Sequence, residues 1–280
     1  MRLAIAVAAV CVLGGCYAVY DPTDDLAFRE FPTTGAAMDA LLDEAGPARV
    51  YAIGEYHPTR ATRASSPLSR FTHEILDKLV PRSRHLVVET WLDDGCGGAS
   101  TQVKREVQDA TGRPAGQGLE IEALKMRSAL RRLQTHGLPM TCIEHGSLLD
   151  GTGRVDFLRL LELVTEKLGV AARALVSDRA VIVYGGALHN DLFPRWPLED
   201  LSYARNLQKD LGGGVVELDL VVPEVVAPMP MVRIEDWFPL LSRAAPDNVI
   251  LWERGPGSYV LILPAADRRV AAVAKPVARD

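Results

Sequence analysis

Short apolar runs alternate with amphipathic stretches along most of this chain. "RVYAIG", residues 49–54, is closed in by Pro47 and Gly54. "HLVVE" (85–89), "LPMTCIE" (138–144), "RAVIVYGG" (179–186) and "VVELDLVVP" (215–223) are runs of the same kind. Each predicts a strand buried on both faces, because a half-wet strand would alternate apolar with polar positions. Between them lie patterns of helical period. Met38, Leu41, Leu42 and Ala45 share one face of a helix beginning near Gly35. Pro67 opens a second helix that turns Phe71, Ile75, Leu76 and Leu79 inward. Residues 119–137 read as a long helix stopped by Gly137, and residues 155–169 and 198–214 as two more. "NVILWERGPGSYVLILP" (248–264) reads as a hairpin turning at Gly255, Pro256 and Gly257.

Strands that alternate with helices predict a three-layer α/β/α domain around a mostly parallel sheet, mixed because of the closing hairpin. The pattern assigns residues 35–264 to one domain, 17–34 to a polar tether and 265–280 to a loose tail, with no internal repeat.

Composition changes this picture little. With 280 residues, 48% hydrophobic and 24% charged, the chain is long enough for a large core. A net charge of -5 without a Lys/Arg run gives no electrostatic case for nucleic acid as a partner.

The first sixteen residues, "MRLAIAVAAVCVLGGC", stand apart. One basic residue, an apolar run too short to span a bilayer comfortably, and small residues before Cys16 make a signal-peptide pattern. "LGGC" looks like a bacterial lipobox. Residues 1–16 are therefore expected to be a lipoprotein signal, with Cys16 lipidated and the protein anchored in the cell envelope, touching membrane only through its acyl chains. The alternative is a plain signal peptide with an incidental cysteine. An oxidising envelope permits a disulfide between Cys96 and Cys142; the alternative is two unpaired cysteines.

The chemistry-bearing residues gather at the ends of the predicted strands. "YAIG" runs into Glu55 and His57, "LVV" into Glu89, "MTCI" into Glu144 and His145, and "VIVYGG" shortly into His189, Asn190 and Asp191. Ligands of open α/β sheets bind outside the carboxyl ends of the strands, so these residues predict one shared polar site. Gly54 and Gly186 are expected to let the backbone turn tightly beneath it. His57, Glu55, Glu89 and His189 are the leading candidates; Glu144, His145, Asn190 and Asp191 form a second tier. Two imidazoles and a carboxylate, here His57, His189 and Glu89, can hold a divalent metal and leave a position open for water. The same set can activate water without metal. Neither a G-x-S-x-G elbow nor H-E-x-x-H occurs.

"GEYH" (54–57), "VVE" (87–89), "THGLPMTCIE" (135–144) and "YGGALHND" (184–191) resemble the superfamily that joins erythromycin esterases, ChaN-like haem-binding lipoproteins and Tiki/TraB proteins. Gly54 to His57 and Gly186 to His189 both fit its G-x-x-H pattern. "LHND" resembles the His-Asn of the esterases, whose His and Glu residues activate water without metal, although "GEYH" is one residue shorter between Glu and His. Two G-x-x-H motifs with Glu89 resemble the Tiki-type metal-dependent peptidases. The lipoprotein signal and "HGLP" resemble the ChaN-like proteins, which implies haem. In that case His57, Tyr56 or His189 would be an axial ligand, with Trp91, Leu188 and Trp196 as an apolar platform. The expected function is thus a hydrolase-like His/Glu site acting on a small-molecule or peptide ligand. Haem binding and a catalytically inactive interaction module are the alternatives.

Overall fold

A computed structural model describes residues 10–12, 15–17, 23, 25–60, 62, 64–92, 97–111 and 117–266. Two short strands, β1 (Val10–Val12) and β2 (Gly15–Tyr17), pair antiparallel as a separate ribbon. The other strands among the described residues join one eight-stranded sheet. In chain order these are β3 (Phe28–Phe31), β4 (Val50–Glu55), β5 (Ser83–Leu92), β6 (Gln134–Pro139), β7 (Ala180–Gly186), β8 (Val215–Val221), β9 (Val249–Gly255) and β10 (Ser258–Ile262). Their order across the sheet is β3-β9-β10-β8-β4-β7-β5-β6. From β10 to β6 every pairing is parallel; β9 is antiparallel to both its neighbours. The sheet is therefore mixed through the C-terminal hairpin, as the sequence predicts.

Helices cover both faces. On one face α1 (Thr34–Ala45), α2 (Pro67–Arg70), α3 (Leu76–Leu79) and α5 (Gln117–Leu130) pack on Tyr51, Ile53, Leu86, Ile182 and Leu218. On the other, α4 (Gly98–Thr111), α7 (Phe157–Leu175) and α8 (Tyr203–Asp210) pack on Val50, Ala52, Val87, Val181 and Val183. The odd and even residues of β4 thus serve two cores, which is why its apolar run is unbroken. A third cluster, around Trp237, Leu240 and Trp252, closes the β9–β10 side. Two further short helices, α6 (Cys142–Ser147) and α9 (Pro223–Val226), complete the set named here. Among the described residues no helix is long and apolar enough to cross a membrane.

Several expected boundaries move. The stretch expected to be a tether contains β3, which is half-buried at its ends and pairs with β9. Ala265 is buried, its N–H donating to Ala245 O at 3.2 Å, so the ordered domain runs past residue 264; residues 267–280 lie outside the described residues. The helix predicted over 119–137 ends at Leu130, where Arg132 takes a left-handed φ of 63°. Gln134–Pro139 then forms the sheet's last strand. Of the predicted strand over 138–144, Leu138 and Pro139 close β6 and Cys142, Ile143 and Glu144 open α6. Thr141 caps it through its side chain, and Glu144 returns the bond to the Thr141 N–H at 2.7 Å. This reciprocal capping box overrides the apolar run "MTCI". Cys142, in α6, is disulfide-bonded; Cys96 lies outside the described residues.

Candidate active site

The site is set by one row of the sheet. Gly54 of β4 pairs with Gly185 of β7 on one side and Asp219 of β8 on the other. Two adjacent residues without side chains leave space at the carboxyl edge, and side chains from later elements fill it. Neither glycine has a positive φ. A Cβ on Gly54 would stand 2.4 Å from Asn190 Oδ1 and 2.5 Å from Asp219 Oδ1, and one on Gly185 2.9 Å from Glu89 Oε2. The glycines are therefore required for close approach rather than for the tight turn expected of Gly54 and Gly186.

Glu55 ends β4 with its carboxylate 3% exposed. Its Oε1 lies 2.7 Å from His57 Nδ1, and its Oε2 accepts from the Tyr184 hydroxyl at 2.5 Å. Complete burial, with the Glu55 charge next, raises the Tyr184 phenol well above its usual range, so it remains a donor. Tyr184 is braced in turn by the Phe71 ring, 4.6 Å between centroids. Phe71 begins a π-helical turn, Phe71–Ile75, inserted between α2 and α3. Such a turn advances the helix by one extra residue and commonly accompanies functional sites.

Glu89 lies where β5 loses register with β6, between Val87 and Trp91. Its Oε2 accepts the Gly186 N–H at 2.7 Å. His189 follows β7 by a turn in which its N–H donates to Gly186 O at 2.9 Å, and its side chain is buried. Its Nδ1 meets Thr165 Oγ1 of α7 at 2.7 Å. Thr165 Oγ1 also lies 2.8 Å from Leu161 O and 3.1 Å from Leu201 O, so its single proton goes to a carbonyl and His189 Nδ1 is the donor. Each imidazole is thus oriented through Nδ1: His57 by a carboxylate, His189 by a hydroxyl.

The three groups converge over Gly186. The point where a Cβ of that residue would stand lies 3.1 Å from His57 Nε2, 3.6 Å from Glu89 Oε2 and 3.6 Å from His189 Cδ2. The adjoining cleft, lined by Glu55, His57, Glu89, Tyr184 and Gly185 with Leu68, Val88 and Ile121, has a volume of ≈ 10 Å³. That is the space of about one water. Among the described residues no set of three or more His, Cys, Asp or Glu side chains is arranged to hold a metal ion, so His57, Glu89 and His189 lie together without forming a ligand cage.

The second-tier residues divide. Asn190 lies directly beneath, 1% exposed, its Nδ2 donating to Asp219 Oδ1 at 2.9 Å and to Ala52 O at 3.2 Å. Asp191 turns away to pair with Arg254 at 2.5 Å. Glu144 and His145 do not reach the site, because α6 replaces the strand that was to deliver them. Glu144 pairs with Lys167 at 2.6 Å; that bond first, and the Thr141 N–H second, lower its pKa to about 2. His145 is fully buried, its ring edge-on to Trp91 with centroids 5.7 Å apart. Trp196 is 84% exposed, and neither it nor Trp91 lines the cleft.

Sequence reasoning passed over Tyr184, Thr165 and a buried charge cluster. Glu217 and Asp219 alternate along β8, both buried, and Arg254 bonds Glu217 at 2.7 and 2.9 Å. Burial raises the pKa of both carboxyls, most strongly opposed at Asp219 by Arg254. Two acids spaced by two inside "VVELDLVVP" were the available signal, since a buried strand does not hold charge without a partner.

No protein-family model matches the chain, and no curated protein matches it. Among solved structures the type III effector HopBA1 is similar over 85% of this chain and 97% of that one, with 14% sequence identity and a TM-score of 0.41.

Proposed function

We propose that this protein is a hydrolase of the cell envelope, anchored through Cys16, whose His57–Glu55 pair activates water. The observation that carries the reading is the convergence of His57 Nε2, Glu89 Oε2 and His189 over Gly186, beside a cleft with room for about one water. Glu55, 2.7 Å from His57 Nδ1, holds the imidazole with Nε2 toward that space and stabilises the imidazolium that forms. Tyr184 fixes Glu55 in turn. Water loses its proton to His57 Nε2 and attacks an ester or amide carbonyl of a small-molecule or peptide substrate. The His57 imidazolium then returns that proton to the leaving group, while His189, held through Nδ1 by Thr165, offers its unprotonated Nε2 as a hydrogen-bond acceptor for the water or the substrate. Glu89 keeps the β7 turn in place through the Gly186 N–H. Proton transfer of this kind contributes about 10²–10⁴-fold each way. The residues that carry the resemblance to the erythromycin esterase, ChaN-like and Tiki/TraB superfamily are these same ones, with Glu144 the exception.

The test is hydrolysis of an ester and dipeptide panel by the chain and by His57→Asn, Glu55→Gln and His189→Asn. Loss in all three with unchanged circular dichroism supports the reading; equal activity in His57→Asn refutes it. A Soret band after adding haemin to the chain, absent in His57→Asn, would move the assignment to haem binding. Mass spectrometry of the mature N-terminus from the native host tests the anchor: an unmodified N-terminus elsewhere removes that part alone.

A further inference from the structure

Away from the cleft, β5 and the edge strand β6 carry a second pair of imidazoles. His85 pairs in register with Gln134, and Val87 with His136, so the two histidines sit diagonally on one face of the sheet. His85 Nδ1 and His136 Nε2 are 3.2 Å apart, with ring centroids 5.3 Å apart and planes at 52°. Both rings are half-buried, and among the described residues neither has another hydrogen-bond partner.

Two nitrogens at 3.2 Å leave two chemical possibilities. One ring donates to the other, or both lone pairs serve one electrophile between them. Imidazole nitrogens sit about 2.0–2.1 Å from zinc in tetrahedral sites, which separates two of them by about 3.3–3.4 Å and their ring centres by about 5.2 Å. The observed 3.2 and 5.3 Å fall within a few tenths of an ångström of both figures. A metal takes the lone pair of a neutral ring, so an ion between His85 Nδ1 and His136 Nε2 would leave the ring protons on the outer nitrogens, His85 Nε2 and His136 Nδ1.

We infer that His85 and His136 form a divalent transition-metal site of the zinc and copper class, which pins the edge strand β6 to β5. Imidazole nitrogen suits this class rather than magnesium or calcium, which take oxygen ligands. Water fills the remaining positions.

The experiment uses the full chain in detergent, stripped with chelator. Zinc is titrated by calorimetry, and copper binding is followed by electron paramagnetic resonance. One ion per chain, nitrogen superhyperfine structure, and affinity at least about tenfold weaker in His85→Gln and in His136→Gln are expected. Zinc should raise the Tm of the parent chain and not of those variants, because a ligand that binds only the folded state stabilises it. His57→Asn and His189→Asn should bind as the parent does. Unchanged binding in both Gln variants, or no binding at millimolar zinc, overturns the proposal. Loss confined to His57→Asn and His189→Asn also overturns it, and assigns the ion to the cleft. Glutamine retains hydrogen-bonding capacity at these half-buried positions, and circular dichroism reports whether each variant is folded.

Discussion

Replacing Gly186 by alanine puts a methyl group at the point where the candidate catalytic side chains meet. The new carbon would lie 3.1 Å from His57 Nε2 and 3.6 Å from both Glu89 Oε2 and His189 Cδ2. Gly186 lies in the regular strand β7 without a positive φ, so the backbone accepts alanine. The loss of unfolded-state freedom alone would stabilise the fold by about 0.4–1 kcal/mol. Against this, His57 must retreat a few tenths of an ångström, an overpacking that costs at most about 1–3 kcal/mol. The His57 ring is 28% exposed and has room to yield, so the lower end applies and the net change in stability is within about 1 kcal/mol. The functional change is far larger. The methyl would crowd His57 Nε2, the atom that is to take the proton, at the side of the cleft, so water is kept from that nitrogen while all four polar residues remain. Hydrolysis should fall by at least about 10²-fold, the low end of what general base catalysis contributes. The assay is kcat/KM on whichever ester or peptide the parent cleaves, with urea unfolding in parallel. Gly54→Ala is the contrasting variant. Its Cβ would lie 2.4 and 2.5 Å from the buried Asn190 and Asp219, which cannot yield, so it should fail to fold stably. A Gly186→Ala protein that is stable and fully active would refute the placement of the water and the mechanism built on it.

Thr165→Val keeps the shape of the α7 contact but leaves the His189 Nδ1–H without its acceptor. It should cost about 1–3 kcal/mol in urea unfolding and lower kcat by about tenfold or more, with KM little changed. Arg254→Met strips the partner from Glu217 and should destabilise the fold by about 3–5 kcal/mol at pH 8. The loss should shrink at pH 5, because the raised pKa values of Glu217 and Asp219 let both carboxyls protonate there; an equal loss at both pH values would contradict the cluster's electrostatics. Glu144, lowered from 4.5 to about 2, contributes stability that is complete above its unfolded pKa and disappears as pH falls through about 2. Lys167→Met should therefore lower the unfolding free energy in urea at pH 7 by about 1–2 kcal/mol after screening, and by little at pH 2.

The sequence by itself determined the layers and the edge at which the candidate site lies. Unbroken apolar runs such as "YAIG" and "VIVYGG" had to be strands covered on both faces, and their shared direction placed Glu55, His57, Glu89 and His189 at one edge. Local pattern failed where two local signals competed. "MTCI" is apolar enough for a strand, yet Thr141 and Glu144 start a helix, and the capping box wins because each side chain pairs the other residue's N–H. β6 was hidden for the opposite reason: as an edge strand with half its residues partly wet, "QTHGLP" carries no double-sided signature. Strand order belongs to the tertiary structure alone. β7 inserts between β4 and β5, which sets Gly185 beside Gly54 and brings His189 over to His57 and Glu89. The roles of Tyr184, Thr165 and Asp219 follow from that insertion, because hydrogen-bond partners are set by which strands and helices become neighbours, and spacing along a chain does not encode that.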